Sequence, residues 1–316
     1  MAAAAKVGSS TVSIRPRRRL AGLGFTRPDG LEHFQQVGDF DGTDGQIKLR
    51  VTALSGDRPL TPLSGEALLN GAENKDTRAT ETLTFLSYKE KFLAGSWRFN
   101  TYFGRDTLMS VRLLMAVLAP DAIEAGIRSV LARLAPDGEV AHEEAIGELA
   151  ELMHKQQDGS VSNAPIFDYS MIDGNFLLAP VAAYYLLEAP QGKRRASLYL
   201  RESVETFGGP TSVGQELVRN LRLVTRSAAV FATHPRVENL IALKPGHTAG
   251  QWRDSADGIG GGRYPYDVNA IFAPAAHARL AKLSVDVSPI QVRPWGERNF
   301  RFADPDGYAW EYSEPL

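Results

Sequence analysis

Two consecutive apolar runs of different angular width constrain this chain more than any other feature. In Thr107–Leu118 the apolar residues Leu108, Met109, Val111, Leu113, Leu114, Met115, Val117 and Leu118 lie almost all round a helical axis, which predicts a helix covered on every side. Pro120-Asp121 interrupts that run. Beyond it Ile123, Ile127, Val130, Leu131 and Leu134 recur at helical spacing on a single face, the pattern of an amphipathic helix laid outside the first. The turn Pro136-Asp137-Gly138 closes the hairpin and leads to Glu139, His142, Glu143, Glu144 and Glu148. The alternation then returns. Asp173–Leu187 is mostly apolar, with Pro180 placed to delay or kink its helix, and Leu217, Leu221, Val224 and Phe231 mark one face of a later amphipathic helix. Helices paired in this way, with polar clusters at the inner helix starts, follow the plan of an α/α toroid, a plan that names no function by itself.

Composition removes several classes of partner. A formal net charge of −2 provides no electrostatic footprint for nucleic acid or an anionic membrane. The chain has no cysteine, which excludes disulfides, thiolate metal sites and a cysteine nucleophile. No apolar run approaches the roughly 18 residues of a membrane span. With 316 residues, 43% of them hydrophobic, the chain can bury one large core or two modest ones. A soluble protein with a small-molecule or glycan partner and no cofactor is the expectation.

Two stretches carry chemistry. The first, Gly95-Ser-Trp-Arg-Phe-Asn-Thr-Tyr-Phe-Gly-Arg-Asp-Thr107, combines flat apolar faces (Trp97, Phe99, Tyr102, Phe103) with the donors of Arg105 and the acceptors of Asp106, the mixture a sugar ring needs. In the competing structural reading Asp106 only N-caps a helix beginning at Thr107, and the aromatics are core. The second is Gly250-Gln-Trp-Arg-Asp-Ser255, followed by Gly258, Gly260, Gly261 and Gly262 and by Arg263-Tyr-Pro-Tyr-Asp267. Glycines let backbone approach a ligand, while Trp252, Tyr264 and Tyr266 offer faces for stacking. Asp254 is the candidate proton donor, provided burial outweighs the pull of Arg253 on its proton; otherwise it forms a surface ion pair beside a glycine loop.

Together, Phe99-Asn-Thr-Tyr-Phe-Gly-Arg-Asp-Thr107, Pro136-Asp-Gly-Glu-Val-Ala-His-Glu-Glu144 and Gly250-Gln-Trp-Arg-Asp-Ser255 resemble the six-hairpin (α/α)6 glycosidases. The likeness is to the amylo-α-1,6-glucosidase part of glycogen debranching enzymes and to trehalases and glucosidases, over roughly residues 60 to 275. The resemblance implies that Asp254 is the general acid of an inverting α-glucosidase and that Arg105 and Asp106 grip the sugar beside the cleaved bond. Trp97, His142, Glu143, Trp252, Arg253 and Tyr264 would line the same pocket. Glu143 reads equally well as a solvated charge at a helix start.

The departures from the family are as informative. Its catalytic base is a glutamate from a late hairpin, whereas the helical pattern here stops near Leu283, so the usual downstream base is missing and residues around Glu143 are the best substitute. The stretch from Thr84 to Leu283 leaves only about 17 residues for each of twelve helices with its loop, too few for a complete ring. Seven or eight long helices are expected, forming an open arc whose uncovered apolar faces favour self-association. The fold class expected is therefore mainly α, an incomplete (α/α)6 toroid with a short C-terminal antiparallel β appendage.

Four segments follow. Residues 1–20 form an arginine-rich extension with the composition of a transit peptide, although an untargeted extension of a cytoplasmic protein is the simpler reading. Residues 21–82 form an irregular lead-in with short strands such as Gln46–Val51, residues 83–283 the helical domain, and residues 284–316 a β meander. In the last, Pro294-Trp-Gly-Glu-Arg298 and Asp304-Pro-Asp-Gly-Tyr-Ala-Trp-Glu311 resemble the end of a vicinal-oxygen-chelate module of the glyoxalase and bleomycin-resistance type. That likeness places Glu311 where metal-dependent members have a ligand, yet one carboxylate is not a metal site. It keeps open a non-catalytic binding module as the alternative function.

Overall fold

The computed structural model describes residues 8–14, 47–53, 59–71, 77–95, 99–251, 263–282, 291–293, 297–303 and 309–315. The chain divides into two units, residues 1–59 and 60–316. In the first, β1 (Gly8–Ile14) pairs antiparallel with β2 (Ile47–Ala53), Gly8 opposite Ala53 and Ile14 opposite Ile47.

The second unit is mainly helical, with small antiparallel strand pairs between the helices. In order come α1 (Thr77–Leu86), α2 (Gly104–Leu114), α3 (Pro120–Leu131), β3 (Glu143–Ala145), α4 (Gly147–Gln157), β4 (Ile166–Asp168) and α5 (Asp173–Ala183). Then follow α6 (Pro190–Arg201), β5 (Ser203–Thr206), β6 (Gly209–Ser212), α7 (Val213–Thr233) and α8 (Ala273–Lys282). The last strands, β7 (Gln291–Arg293), β8 (Glu297–Ala303) and β9 (Ala309–Pro315), form an antiparallel meander as the alternation predicts. Eight α-helices among the described residues agree with the seven or eight expected. α2 packs on α3 and α5, α5 on α7 and α8, and α6 on α7.

Local chemistry sets several boundaries. Pro120 and Pro190 occupy the first turns of α3 and α6, where a missing N–H costs nothing. Ser212 opens α7 with a capping box: its hydroxyl accepts from the Gln215 N–H, and the Gln215 side chain accepts from the Ser212 N–H, both at 3.2 Å. α5 continues past Pro180, and beyond Ala183 it passes into a π-helical turn, Tyr184–Glu188.

The first hairpin reverses the expected layering. α3, whose sequence marks a single apolar face, is buried nearly all round, from Ala122 to Ile127 and again from Ser129 to Leu131. α2, whose sequence run is apolar almost all round, leaves Leu113 73% exposed, and Val117, in the turn beyond its end, is 37% exposed. The reason is steric and polar. Ala122, Ala125 and Gly126 make α3 thin, and a Cβ on Gly126 would stand 2.5 Å from Val111 Cγ2. The buried Glu124 carboxylate is neutralised from α6, where Arg195 donates from Nε and Nη2 at 2.7 Å each, and Tyr185 adds its hydroxyl at 2.7 Å. A charge so fully partnered tolerates a buried face. In the second pair α5 is buried along nearly its whole length while α7 buries Leu217 and Val224, keeps Leu221 partly buried and leaves Phe231 38% exposed, so the expected apolar face holds only in its first part.

Candidate functional site

The site is built where the start of α2 meets the segment leading into β3. Phe103 is the N-cap residue, extended at φ −134° and ψ 122°, and its side chain supplies no cap. Instead the Gly104 N–H donates to the His142 carbonyl at 2.8 Å, and Phe103 bridges Glu143 in antiparallel fashion. The approach is so close that a Cβ on Gly104 would lie 2.3 Å from the Ala141 carbonyl oxygen and 2.9 Å from Val140 Cγ1. Glycine before Arg105 is a packing requirement. It also corrects the capping reading of Asp106: the helix begins at Gly104, so Asp106 sits inside its first turn with a carboxylate 44% exposed, where the positive end of the helix favours it.

Arg105 points inward. Its Nη1 donates to Asp173 Oδ2 at 3.0 Å and to the Gln251 carbonyl at 3.3 Å, and its Nε lies 4.0 Å from Asp106 Oδ2. Asp173, the first residue of α5, is fully buried and also accepts from the Gly174 N–H at 2.8 Å. Burial pushes its carboxyl above the usual carboxylate range; Arg105 pulls it back, and the charge of Asp267 adds to the rise. Asp173 is the functional residue that sequence reading passes over, taken there only as the start of an apolar run. An aspartate opening a helix buried on all sides needs a cation, and that was the available signal.

Beside this pair lies a short ribbon in which Glu143 stands opposite Asp168, Glu144 opposite Phe167 and Ala145 opposite Ile166. Neighbouring residues of a strand face opposite ways, so Glu143 and Glu144 part company. Glu144 is buried and accepts from Thr101 Oγ1 at 2.7 Å, the Tyr102 N–H at 3.4 Å, Arg133 Nε at 3.0 Å, and Lys91 Nζ. Burial works to raise the Glu144 carboxyl, but Arg133 and Lys91 outweigh it and hold the group below its usual value. Glu143 is half-buried on the other face. It is a strand residue, not a charge at a helix start, since α4 begins only at Gly147.

His142 donates its N–H to the Asp168 carbonyl at 2.7 Å and meets the Phe103 ring edge-on at 5.6 Å. Its Nδ1 is buried without a hydrogen-bond partner among the described residues. Asp168 is held at both oxygens, by the Ser170 N–H at 2.8 Å and the Ser170 hydroxyl at 2.7 Å. Thus Arg105, Asp106, His142 and Glu143, drawn from two separate sequence motifs, lie along one seam between α2 and the ribbon.

The third motif reaches this seam at its root. The Ile172 N–H donates to the Gly250 carbonyl at 2.8 Å, Gln251 is only 5% exposed, and its carbonyl lies on Arg105. Trp97, Trp252, Arg253 and Asp254 lie outside the described residues. Tyr264 is half-buried, with the Arg263 guanidinium 5.8 Å from its ring centre, and the Arg263 carbonyl accepts from the Leu243 N–H at 2.9 Å. Among the described residues no group of three or more His, Asp or Glu side chains is disposed to hold a metal ion. No helix among them is long and apolar enough to cross a membrane. Comparison of the chain with protein-family models, with curated proteins and with solved structures finds no match.

Proposed function

We propose that the helical unit is an open arc of an (α/α)6 toroid and that the seam at the start of α2 binds a glucose-like ring of an α-glucoside. Arg105 and Asp106 grip the ring's hydroxyls, His142 and Glu143 form the opposite wall, and Asp254 supplies the proton for the departing oxygen. The observation that carries this reading is the Gln251 carbonyl seated 3.3 Å from Arg105 Nη1. Two remote motifs, each resembling part of a glycosidase pocket, thereby share an anchor, and Asp254 follows Gln251 by three residues. A non-catalytic glycan binder is the second reading, favoured by the change from helices to the antiparallel sheet β7-β8-β9 after α8.

Isothermal titration of the purified chain with glucose, maltose and a basic sugar mimic tests the proposal, run beside Asp254→Asn and an assay for glucose released from α-glucosides. Heat from the mimic, weakened in Asp254→Asn, with glucose release from the wild type alone, is the result expected of an enzyme. Heat without release identifies the binder. No heat from any of the three sugars removes the carbohydrate reading.

A further inference from the structure

We infer that Ser197, on the outer face of α6, is a phosphorylation site for an arginine-directed serine/threonine kinase, and that the helix carries a seat for the phosphate. The site is independent of the α-glucoside reading above. α6 contains Lys193, Arg194, Arg195 and Arg201 and no acidic residue. One of the four cations is committed inward: Arg195 donates to Glu124 from Nε and Nη2 at 2.7 Å each. The same inner face buries Gly192 and Tyr199, the latter donating its hydroxyl to the Glu124 carbonyl at 3.0 Å, and a Cβ on Gly192 would run into the Tyr185 carbonyl.

Ser197 lies on the opposite side. Lys193 precedes it by four residues, Arg194 precedes it by three, and Arg201 follows it by four, the spacings that gather side chains on one helical face with Cβ atoms about 5 to 6 Å apart. Ser197 and these three cations are all exposed, and none of the three has an ion-pair partner among the described residues. Like charges gathered round one hydroxyl weaken a helix. A phosphate monoester there, with a charge of about −1.5 to −2 at pH 7 and three acceptor oxygens, turns that repulsion into attraction. Arg201 stands in the last turn of α6, where the negative helix end would otherwise oppose the phosphate.

The same segment has the make-up of a kinase substrate. Arg194 and Arg195 stand three and two positions ahead of Ser197, and Leu198, which follows it, is 65% exposed. Two guanidinium forks suit carboxylates lining a kinase's substrate groove, and an uncovered leucine suits an apolar pocket beside the reacting centre. Kinases take their substrates extended, and in the helix Arg195 faces away from Ser197 toward Glu124. The arginine pair is therefore read only when α6 opens locally and Arg195 leaves Glu124. In the transfer, Ser197 Oγ bonds to the γ-phosphorus of ATP as the bond from that phosphorus to the β,γ-bridging oxygen breaks. ADP departs with the electron pair, and the hydroxyl proton passes to the kinase's base. When α6 re-forms, Lys193, Arg194 and Arg201 receive the phosphate.

The purified chain, incubated with the catalytic subunit of cyclic-AMP-dependent protein kinase and Mg-ATP, should gain one phosphate, located at Ser197 by peptide mass spectrometry and absent in Ser197→Ala. Arg194→Ala should slow incorporation by about 10-fold or more, the effect of losing one charge-assisted contact. Glu124→Gln, which releases Arg195, should hasten it. Arg201 lies beyond the residues a kinase reads and so tests the seat alone. By phosphorus NMR the second ionisation of the phosphate should fall below its ordinary value of about 6, and it should return toward that value in phosphorylated Arg201→Ala, which is labelled as fast as the wild type. No phosphate on the folded chain, phosphate at another residue, or labelling indifferent to Arg194 overturns the site. A titration identical in the wild type and Arg201→Ala overturns the seat, and labelling of Glu124→Gln no faster than the wild type overturns the opening of α6 as the slow step. Circular dichroism of each variant, with the wild type as reference, accompanies every comparison.

Discussion

Two buried ionic clusters flank the β3–β4 ribbon, and they are built on opposite principles. Around Glu144 the count of partners is complete. Its oxygens receive Lys91, Thr101, the Tyr102 N–H and Arg133, while Arg133 Nη1 donates to the Ser129 carbonyl at 2.9 Å and the Glu90 carbonyl at 3.2 Å and the guanidinium covers the Tyr102 ring at 4.5 Å. Around Arg105 the cluster instead reaches toward a loop, through the Gln251 carbonyl, and toward the part-exposed Asp106. One cluster joins α3, the ribbon and the chain before α2 into a fixed wall. The other joins the starts of α2 and α5 to the backbone at Gln251. The first is scaffold and the second, on the proposal above, is working surface.

The largest effect that would test this contrast is Glu144→Ala. It strands two buried cations, and a loss of about 3 to 5 kcal/mol is expected from urea unfolding. A loss below about 1 kcal/mol would mean that Lys91 and Arg133 find other partners, and the description of a closed wall would fail. Next comes Gly104→Ala, which forces a Cβ against the Ala141 carbonyl. A loss of about 1 to 3 kcal/mol is expected, accompanied by weaker heat with the basic sugar mimic, because the α2 start must withdraw from the ribbon.

The smallest effect separates the clusters by the sign of their response to acid. Glu144 has a folded value below the ordinary 4.5, so the stability it contributes is complete above 4.5 and drains away as pH falls through that lower folded value. Asp173 has a folded value above the ordinary 3.8, so its increment is fully present below 3.8 and is lost as pH rises through the raised folded value. Urea midpoints measured from about pH 3 to 7 should therefore show Glu144→Gln losing part of the acid destabilisation and Asp173→Asn losing part of the compensating gain. Identical pH profiles for the two variants would erase the distinction.

Much of the local architecture is legible in the residues. Pro120 begins a helix, Pro136-Asp137-Gly138 turns the chain, and Phe300 and Phe302 alternate along β8. Each depends on one residue's own backbone or on its nearest neighbours. The layering of α2 and α3 is not legible in this way. Periodicity counts apolar faces, whereas α3 is buried because it is thin and because Arg195, 71 positions from Glu124, neutralises its charge. The two glutamates of His142-Glu-Glu144 look interchangeable in sequence, and the pleat of a three-residue strand separates them.

Helix starts, turns and the C-terminal meander were thus settled by short-range chemistry, since steric and hydrogen-bonding preferences act within a few residues. Which helix lies inside, which glutamate is locked away and which aspartate answers Arg105 were settled by folding in three dimensions. A buried charge is tolerable only where an opposite charge or donor arrives, and here the partners come from 53 positions away for Lys91 and Glu144 and 68 for Arg105 and Asp173.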